Sequence, residues 1–585
     1  MTVGVLARIK KLKNWQMVLI IAVVGCAVLF TGLNNPFQGD DQTQIQNNLV
    51  VHSFSHVIVL FEGSTFYNGG GATTPLFGTF YRPLMMTFFS LIYTIFGAHP
   101  LYFHLVQILF VIGSAVLLYL VLQHLFRKPL LSLALSLIFL VHPMNSQIAF
   151  AIPSMQDVLF FFFGILAFWI LLQYDSEKSL WLVAGSLFLS LLSKESGVLF
   201  VIMALFYLYL FNRARLLSFA KIVTLPVILW LILKGNAVGL FGLDPHSAPI
   251  DRLSLFGRIM TMPSIILFYL TKFVFPWKLA TQYHWVYPTF SVQHVLLPLI
   301  IDVLVIMLIV LVGRQIKRKA NKKQFKMFLF FAVWAGLGLA PYLQVLPVDM
   351  TVCENWFYFS MVGVLGMIGT ALIVFKLRVN PHWLALLAVV IIGVFGVRTA
   401  IRGTDYSNVY KLELKDVSVS KEDFQAYNGL SQSEINQGNY AKAKAYVEKS
   451  IAIYPSMTNY QNLGAALVYQ GNYAGAYRAY EDGLKYGHYS QLLDDLAELT
   501  LVYGSPTTNQ KFFASSLKQY PHDSYLWTYY ALLFYRYGNV TYAKGAMSYA
   551  LSGTQAPSIA VGVSKAIANN ERIAIQVGNK TVLVP

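Results

Sequence analysis

Charge and cysteine are both scarce in this chain: of 585 residues, 12% are Asp, Glu, Lys or Arg, and two are Cys. A soluble globule carries about 25% charged residues, so half that share excludes a water-soluble domain as the whole of the protein. Cys26 lies inside an apolar run and Cys353 in a connection, which excludes a disulfide framework and a cysteine-built metal site. Acidic residues are the rarer sign, 26 against 43 basic ones, for a net charge of +17. Such a balance raises nucleic acid as a partner, but the basic residues do not gather in one domain. They fall in short connections between alternate apolar runs: Arg8, Lys10, Lys11 and Lys13; Arg127 and Lys128; Arg213, Arg215 and Lys221; Arg314 through Lys326; Lys376 and Arg378. That placement is an orientation signal, and no nucleic-acid partner is expected.

What the chain does have is hydrophobic length, with 56% hydrophobic residues. Eleven apolar runs approach the ~20 residues that cross a bilayer core as a helix. They are Trp15–Gly32, Leu101–Phe126, Leu130–Val141, Val158–Leu172, Leu180–Leu192, Gly197–Phe211, Phe219–Leu233, His294–Val312, Phe325–Leu339, Phe357–Phe375 and Trp383–Val397. With the basic connections inside, eleven crossings put the N-terminus in the cytoplasm and the C-terminus outside. The expectation is an integral protein of the plasma or inner membrane, its first run an uncleaved helix. A further apolar stretch, Ile259–Phe275, is expected to be interfacial or re-entrant, because a crossing there would place Arg314–Lys326 outside.

Composition divides the chain in two. Residues 1–403 form the membrane part, with long outer loops at 34–100, where Gly69, Gly70 and Gly71 cluster, and at 234–292. Residues 404–585 read as a soluble domain with an internal repeat. Gly438-Asn439-Tyr440 recurs as Gly471-Asn472-Tyr473, as Gly504-Ser505 and as Gly538-Asn539-Val540, at spacings of 33, 33 and 34. This is the period of a helix pair in the tetratricopeptide repeat (TPR), which the segment Gly438–Pro455 resembles in its turn, its Ala-rich second helix and its closing proline. Ala443, Ala476 and Ala543 mark close helix approaches, and Tyr446, Tyr480 and Tyr549 are expected to fill the gaps. Repeats are expected around 425–553 and a cap over 554–585. A TPR array does no chemistry; it implies a partner.

Candidate chemistry begins just beyond the first run, at Asn34-Asn35-Pro36-Phe37-Gln38-Gly39-Asp40-Asp41. Acidic pairs in loops are mostly just solvated. Beside a membrane span, two adjacent carboxylates can instead divide positioning and base roles, and their proximity raises one pKa. In Tyr81-Arg82-Pro83-Leu84, the proline suits a helix start and the arginine either anchors the interface or holds a phosphate bidentately. His142-Pro143 follows the third run, Asp157 starts the fourth and Lys194-Glu195 ends the fifth. Pro347-Val348-Asp349 and Glu354-Asn355-Trp356-Phe357-Tyr358 form a later outer segment. All these groups fall on one side of the membrane, although the orientation was set by the basic connections alone.

In this ordered set the chain resembles the C-type (GT-C) glycosyltransferases, specifically the transmembrane, TPR-containing O-mannosyltransferase-like branch. The matching elements are Asp40-Asp41, Tyr81-Arg82-Pro83-Leu84, Tyr102-Phe103-His104-Leu105, His142-Pro143 with Asp157, Lys194-Glu195, and Glu354 through Tyr358 with Val362-Gly363. The resemblance implies an all-α fold, a GT-C-like polytopic bundle followed by an extracytoplasmic TPR α-solenoid. It implies transfer of a mannose-like hexose from a polyprenyl- or dolichyl-phosphate carrier to a hydroxyl, such as Ser or Thr of an exported protein engaged by the TPR domain, with inversion. Asp40 or Asp41 would be the base, Arg82 and Lys194 would hold the donor phosphate, and Tyr81, His142, Asp157, Glu195 and Glu354 would support the site. The lipid-linked sugar is a substrate, and no cofactor is assigned. A divalent metal is not favoured, since Asp40-Asp41 has no second cluster at ligand spacing. Departures from the family pattern are Asn145-Ser146-Gln147 for His-Thr-Glu, Ser154-Met155 for Gly-Arg, and Asn355 for an arginine. Two other classes compete. A transporter or lipid flippase should show paired repeats in its membrane half, and none is seen. A non-catalytic scaffold presenting the TPR domain leaves the ordered motifs unexplained.

Overall fold

A computed structural model of the chain describes residues 13–67, 80–240, 248–375, 380–487, 490–521, 523–552, 558–578 and 580–584. The glycine cluster at Gly69–Gly71, the basic residues Arg8, Lys10, Lys11, Lys376 and Arg378, and the start of the expected cap at 554–557 lie outside the described residues. The architecture is all-α, a polytopic bundle of apolar helices followed by a helical solenoid. The first part contains α1 (Asn14–Leu29), α2 (Pro83–Phe96), α3 (Pro100–Phe126), α4 (Pro129–Val141), α5 (Ser146–Phe150), α6 (Met155–Gln173), α7 (Glu177–Ser193), α8 (Gly197–Phe211), α9 (Leu216–Val238), α10 (Leu255–Val274), α11 (Leu297–Lys319), α12 (Lys322–Leu339), α13 (Tyr358–Phe375), α14 (Pro381–Asp405) and α15 (Val409–Val419).

Proline and short polar residues start these helices. Pro83, Pro100 and Pro129 each stand at a helix start, where the missing N–H costs nothing. Asn321 accepts from the Gln324 backbone while Gln324 reaches back, a reciprocal cap for α12. All eleven apolar runs fall on helices, but they differ in reach. Among the described residues eight helices are long and apolar enough to cross a membrane, or up to nine if the bent pair Pro129–Val141 and Pro143–Phe150 counts as one span. The runs at Leu180–Leu192 and Gly197–Phe211 are helices of 17 and 15 residues, too short to count by length. The bent pair turns by 50° at His142-Pro143, where the ring removes a helical N–H. Helix α10, over the Ile259–Phe275 stretch, is not among the eight.

Burial sorts the spans. Those built on α3, α6 and α13 have 56–61% of their apolar window inside the protein, whereas those on α9, α11 and α14 have 11–22% and turn most of their apolar surface outward. Lipid tails are as apolar as leucine, so association of such helices rests on close packing rather than on escape from water. Gly363 shows how close: a Cβ there would meet the Ala335 backbone nitrogen at 2.2 Å, so α12 and α13 touch backbone to backbone. Trp334 fills the neighbouring space, fully buried against Phe168, Phe200 and Phe359, with its Nε1 donating to the Phe359 carbonyl at 3.0 Å.

The described chain divides into two compact units, one of residues up to Thr65 with Phe80–Ser420, the other of Phe66 and Tyr67 with Lys421–Pro585. The boundary expected at 403/404 therefore moves to Ser420. Helix α15 belongs with the first unit because buried Arg402 on α14 holds its Asp416 at 3.2 Å, and Thr281 donates to the same carboxylate.

In the second unit four helix pairs follow one another: α16 (Phe424–Asn436) with α17 (Tyr440–Ile453), α18 (Met457–Tyr469) with α19 (Tyr473–Leu484), α20 (Ser490–Tyr503) with α21 (Pro506–Gln519), and α22 (Ser524–Arg536) with α23 (Val540–Ala550). They are followed by α24 (Ser558–Asn569) and an antiparallel hairpin, β1 (Ile573–Val577) with β2 (Lys580–Val584). Gly438, Gly471 and Gly538 end first helices at φ +79°, +77° and +75°, the left-handed turn that glycine makes without strain. Ala443, Ala476 and Ala543 are fully buried where helices meet. Of the tyrosines expected to fill the gaps only Tyr480 is buried, at 2% exposure; Tyr549 is 59% exposed and stacks on Trp527 instead.

Candidate functional site

The loop after α1 is tied down before it reaches its acidic pair. Asn35 donates to the Gly403 carbonyl at 3.2 Å, and Gln38 donates to the Tyr406 carbonyl. Gly39 takes φ +53° and turns the chain, after which the two aspartates part company. Asp41 is buried, with Oδ2 accepting from the Gln38 backbone N–H at 2.9 Å, and so holds the loop. Asp40 is exposed yet has much protein around it, with Asp349 and Arg82 within electrostatic reach, and so lies in a recess of the surface.

Four further charged groups line that recess. Arg82 precedes α2 with its guanidinium 4.3 Å above the Phe80 ring, and Phe80 is fixed by Thr65, whose N–H and hydroxyl both donate to its carbonyl. Glu195 follows α7, with Arg82 Nε 3.8 Å from its Oε2 and Lys234 Nζ 3.5 Å from its Oε1. Asp349 comes from the connection between α12 and α13 and acts electrostatically on Asp40. Like Asp40, both Glu195 and Asp349 are partly accessible within a protein surround.

The electrostatics follow from these positions. Asp40 is raised above the usual carboxylate value, first by burial and then by Asp349, with Arg82 opposing. Asp349 is raised chiefly by burial, against the pull of Arg82 and Lys194. Glu195 goes the other way: burial would raise it, but Arg82 and Lys234 prevail and leave it lowered. A lowered carboxylate between two cations stays ionised, while Asp40 beside Asp349 is poised to take up a proton. Arg82 and Lys234 are held at long distance by one shared carboxylate, which leaves N–H groups to donate to an incoming anion.

The other expected residues are distributed around this recess. Lys194 is buried, its Nζ 2.6 Å from Asp157 Oδ1, and Asn355 donates to Asp157 Oδ2 at 3.3 Å. Burial would lower the Lys194 ammonium; Asp157 outweighs that and leaves it raised. Lys194 is thus buried and already paired, though its charge still reaches Glu195 and Asp349. Tyr81 is fully buried and contributes its backbone N–H to Glu195 at 3.4 Å. His142 stacks on Phe273 and accepts from the Met144 backbone, contacts that hold the bend after α4 and include no recess residue. Glu354 belongs to a separate network, accepting from Tyr283 at 2.6 Å and the Ala280 backbone at 3.0 Å. Among the described residues no three His, Cys, Asp or Glu side chains stand where they could share a metal ion. Both cysteines are free.

Neither a protein-family model nor a curated protein matches the chain. Among solved structures it is similar to the crystal structure of the Archaeoglobus fulgidus oligosaccharyltransferase tethered with an acceptor peptide containing the NVT sequon, at 14% identity and a TM-score of 0.34. That match covers 74% of this chain and 58% of the other, so the chain spans less than two thirds of that enzyme's length. It is also similar to the crystal structure of the APC/C hetero-tetramer Cut9-Hcn1, at 13% identity and a TM-score of 0.27, covering 83% of this chain and 93% of that one. Scores this low assign no role to any residue.

Two recess residues carry little signal in the sequence. Lys234 follows the apolar run ending at Leu233, within the last turns of α9, and reads as a snorkelling anchor over Trp230. Asp349 stands in the outer segment Pro347-Val348-Asp349, which by itself assigns it no role. Their one legible feature is shared: each is an isolated ionisable group at the end of a long apolar stretch.

Proposed function

We propose that this membrane protein is a lipid-phosphate-dependent glycosyltransferase whose reaction centre is the recess of Asp40, Arg82, Glu195, Lys234 and Asp349. The observation that carries the reading is the pairing of an accessible, proton-poised Asp40 with two incompletely satisfied cations at the ends of apolar helices. A carboxylate raised above its ordinary value takes the proton of an acceptor hydroxyl as the hydroxyl oxygen attacks the anomeric carbon. The bond to the carrier phosphate breaks on the opposite face, so the sugar inverts. The phosphate leaves already charged and needs cations rather than an acid, a role that falls to Arg82 and Lys234. Lys194, expected to share it, instead fixes Asp157 and, through Asn355, the start of α13. The donor is a polyprenyl- or dolichyl-phosphate hexose, whose tail suits a site walled by membrane helices. The acceptor is a Ser or Thr hydroxyl of an exported polypeptide, and the solenoid engages it on the non-cytoplasmic face.

The test uses purified full-length protein in lipid nanodiscs with defined polyprenyl-phosphate sugars and Ser/Thr peptides, product mass being the readout. A peptide gaining one hexose, lost in Asp40→Asn, supports the reading; equal product from wild type and Asp40→Asn rejects it. A scaffold reading has one observation in its favour. Of the departures, Asn145 donates to the Phe139 carbonyl at 2.7 Å, Gln147 accepts from Cys353 Sγ, Met155 is buried, and Asn355 donates to the already paired Asp157, all contacts that serve packing. On that reading neither variant nor wild type transfers sugar.

A further inference from the structure

The solenoid holds a group of carboxylates that its own fold does not neutralise. Helix α20 carries Asp494, Asp495 and Glu498 within little more than one turn, on one face. The first helices of successive pairs, α16, α18, α20 and α22, pack on one another in a row, and this face of α20 meets its neighbours there. Gln461 on α18 donates to Asp495 Oδ2 at 2.7 Å, and Gln491 donates to Oδ1 at 3.2 Å. Tyr480 on α19 and Tyr529 on α22 lie within electrostatic reach of the same carboxylates.

Three observations separate this group from a solvated acidic surface. Asp494 is only 9% exposed, and among the described residues its Oδ1 has no hydrogen-bond partner. The charges acting on Asp494 are those of Asp523, Asp495 and Glu498, all of its own sign. Asp495 and Glu498 remain partly accessible although protein closes round them, so the group opens on a groove. Burial first, and then mutual repulsion, push Asp494 up to about 9 and Glu498 up to about 7, while burial pushes Asp495 up to about 6. Ionising them together would set like charges at i and i+4 in a buried place, so near neutral pH Asp494 keeps its proton and Glu498 does so in part. Among the described residues no cation acts on the group, so one brought from outside would draw the protons off and pair with the carboxylates.

We propose that this groove docks a cationic polypeptide segment, a lysine or arginine side chain entering between Asp494, Asp495 and Glu498 with the ring of Tyr529 beside it. Charge complementarity selects the occupant: an ammonium or guanidinium brings several donors to the oxygen atoms and is attracted to an aromatic face. A metal ion fits less well, since no three ligating side chains stand at coordination spacing among the described residues. For the identity of the occupant the proposal rests on the transferase reading, to which it adds that the exported acceptor carries basic residues near its hydroxyl. The binding itself is independent of that reading.

The experiment measures fluorescence anisotropy of a labelled lysine-rich Ser/Thr peptide, and of its glutamate counterpart, with full-length protein in nanodiscs. The lysine peptide is expected to bind, more weakly as salt is raised. The glutamate peptide is expected not to bind. Asp494→Asn with Glu498→Gln should weaken binding about tenfold or more while helical circular dichroism is retained, because both changes keep shape and remove repulsion. Should the double variant melt early, Glu498→Gln alone, at a partly exposed position, serves as the test. Equal binding of both peptides, or unchanged affinity in a folded variant, overturns the proposal, as does saturable Ca2+ binding in wild type that the variants lose. Peptide binding without sugar transfer would sink the transferase reading and leave the docking site standing; transfer with no charge preference would do the reverse.

Discussion

Asp40 and Asp41 are chain neighbours of the same chemistry, yet the left-handed turn at Gly39 and the bond from Gln38 give them opposite surroundings. Asp40→Asn should lower transfer by about 100-fold or more, the scale of a lost general base, with protein yield and melting temperature unchanged. Asp41→Ala should instead cost about 1 kcal/mol of stability through the lost loop bond, read as a lower melting temperature. The raised carboxyl of Asp40 also fixes a pH dependence. Transfer should increase with pH through a pKa above 3.8, and Arg82→Met, which removes the opposing cation, should move that limb to higher pH. Glu195 has the contrary sign. Its folded-state pKa lies below the unfolded value, so its ion pairs contribute stability at neutral pH that is lost as the pH falls through the lowered value. Lys194→Met should be worse than either, at about 3–5 kcal/mol, because it leaves Asp157 charged and buried; adding Asp157→Leu should recover much of that loss. Two melting curves decide the point.

Among the elements, the helix pairs of the solenoid show why one repeat looks irregular. Three first helices close on a left-handed glycine, but the third pair turns through Ser505, which caps Thr508, and Pro506 at the first position of α21. The same corner is thus made with different residues. First helices begin at 424, 457, 490 and 524, the spacing of the glycine pattern itself. Two glycines test the distinction between backbone and space. At Gly471 a Cβ would meet nothing, so only the positive φ is demanding, and Gly471→Asn should cost under about 1 kcal/mol. At Gly464 a Cβ would strike the buried Tyr480 ring at 2.1 Å, and Gly464→Asn should lower the melting temperature far more. In the bundle, the short helices α7 and α8 and the bend at His142-Pro143 show that apolar length alone does not count crossings.

At the scale of the whole molecule, Arg402 decides where the first unit ends. It is 1% exposed and divided between Asp405 and Asp416, so the chain must continue through α15 to satisfy it. A chain ending at Ser420 should express and extract as a folded membrane protein, whereas one ending at residue 403 should aggregate, gel filtration distinguishing the two. A reporter fused after Ser420 should be active outside the cytoplasm, as the basic connections require. What the sequence determined by itself is whatever has a short period or a composition: apolar runs, basic connections, the repeat spacing and the turn chemistry at Gly438, Gly471 and Gly538. Each of these acts between residues a few positions apart and leaves a local mark. Tertiary structure alone decided which ionised groups meet. Asp40 finds Asp349, Glu195 gathers Arg82 and Lys234, and Lys194 is taken by Asp157, through contacts that span dozens to hundreds of residues. A burial environment is assembled from several helices at once, and no single stretch of sequence records it.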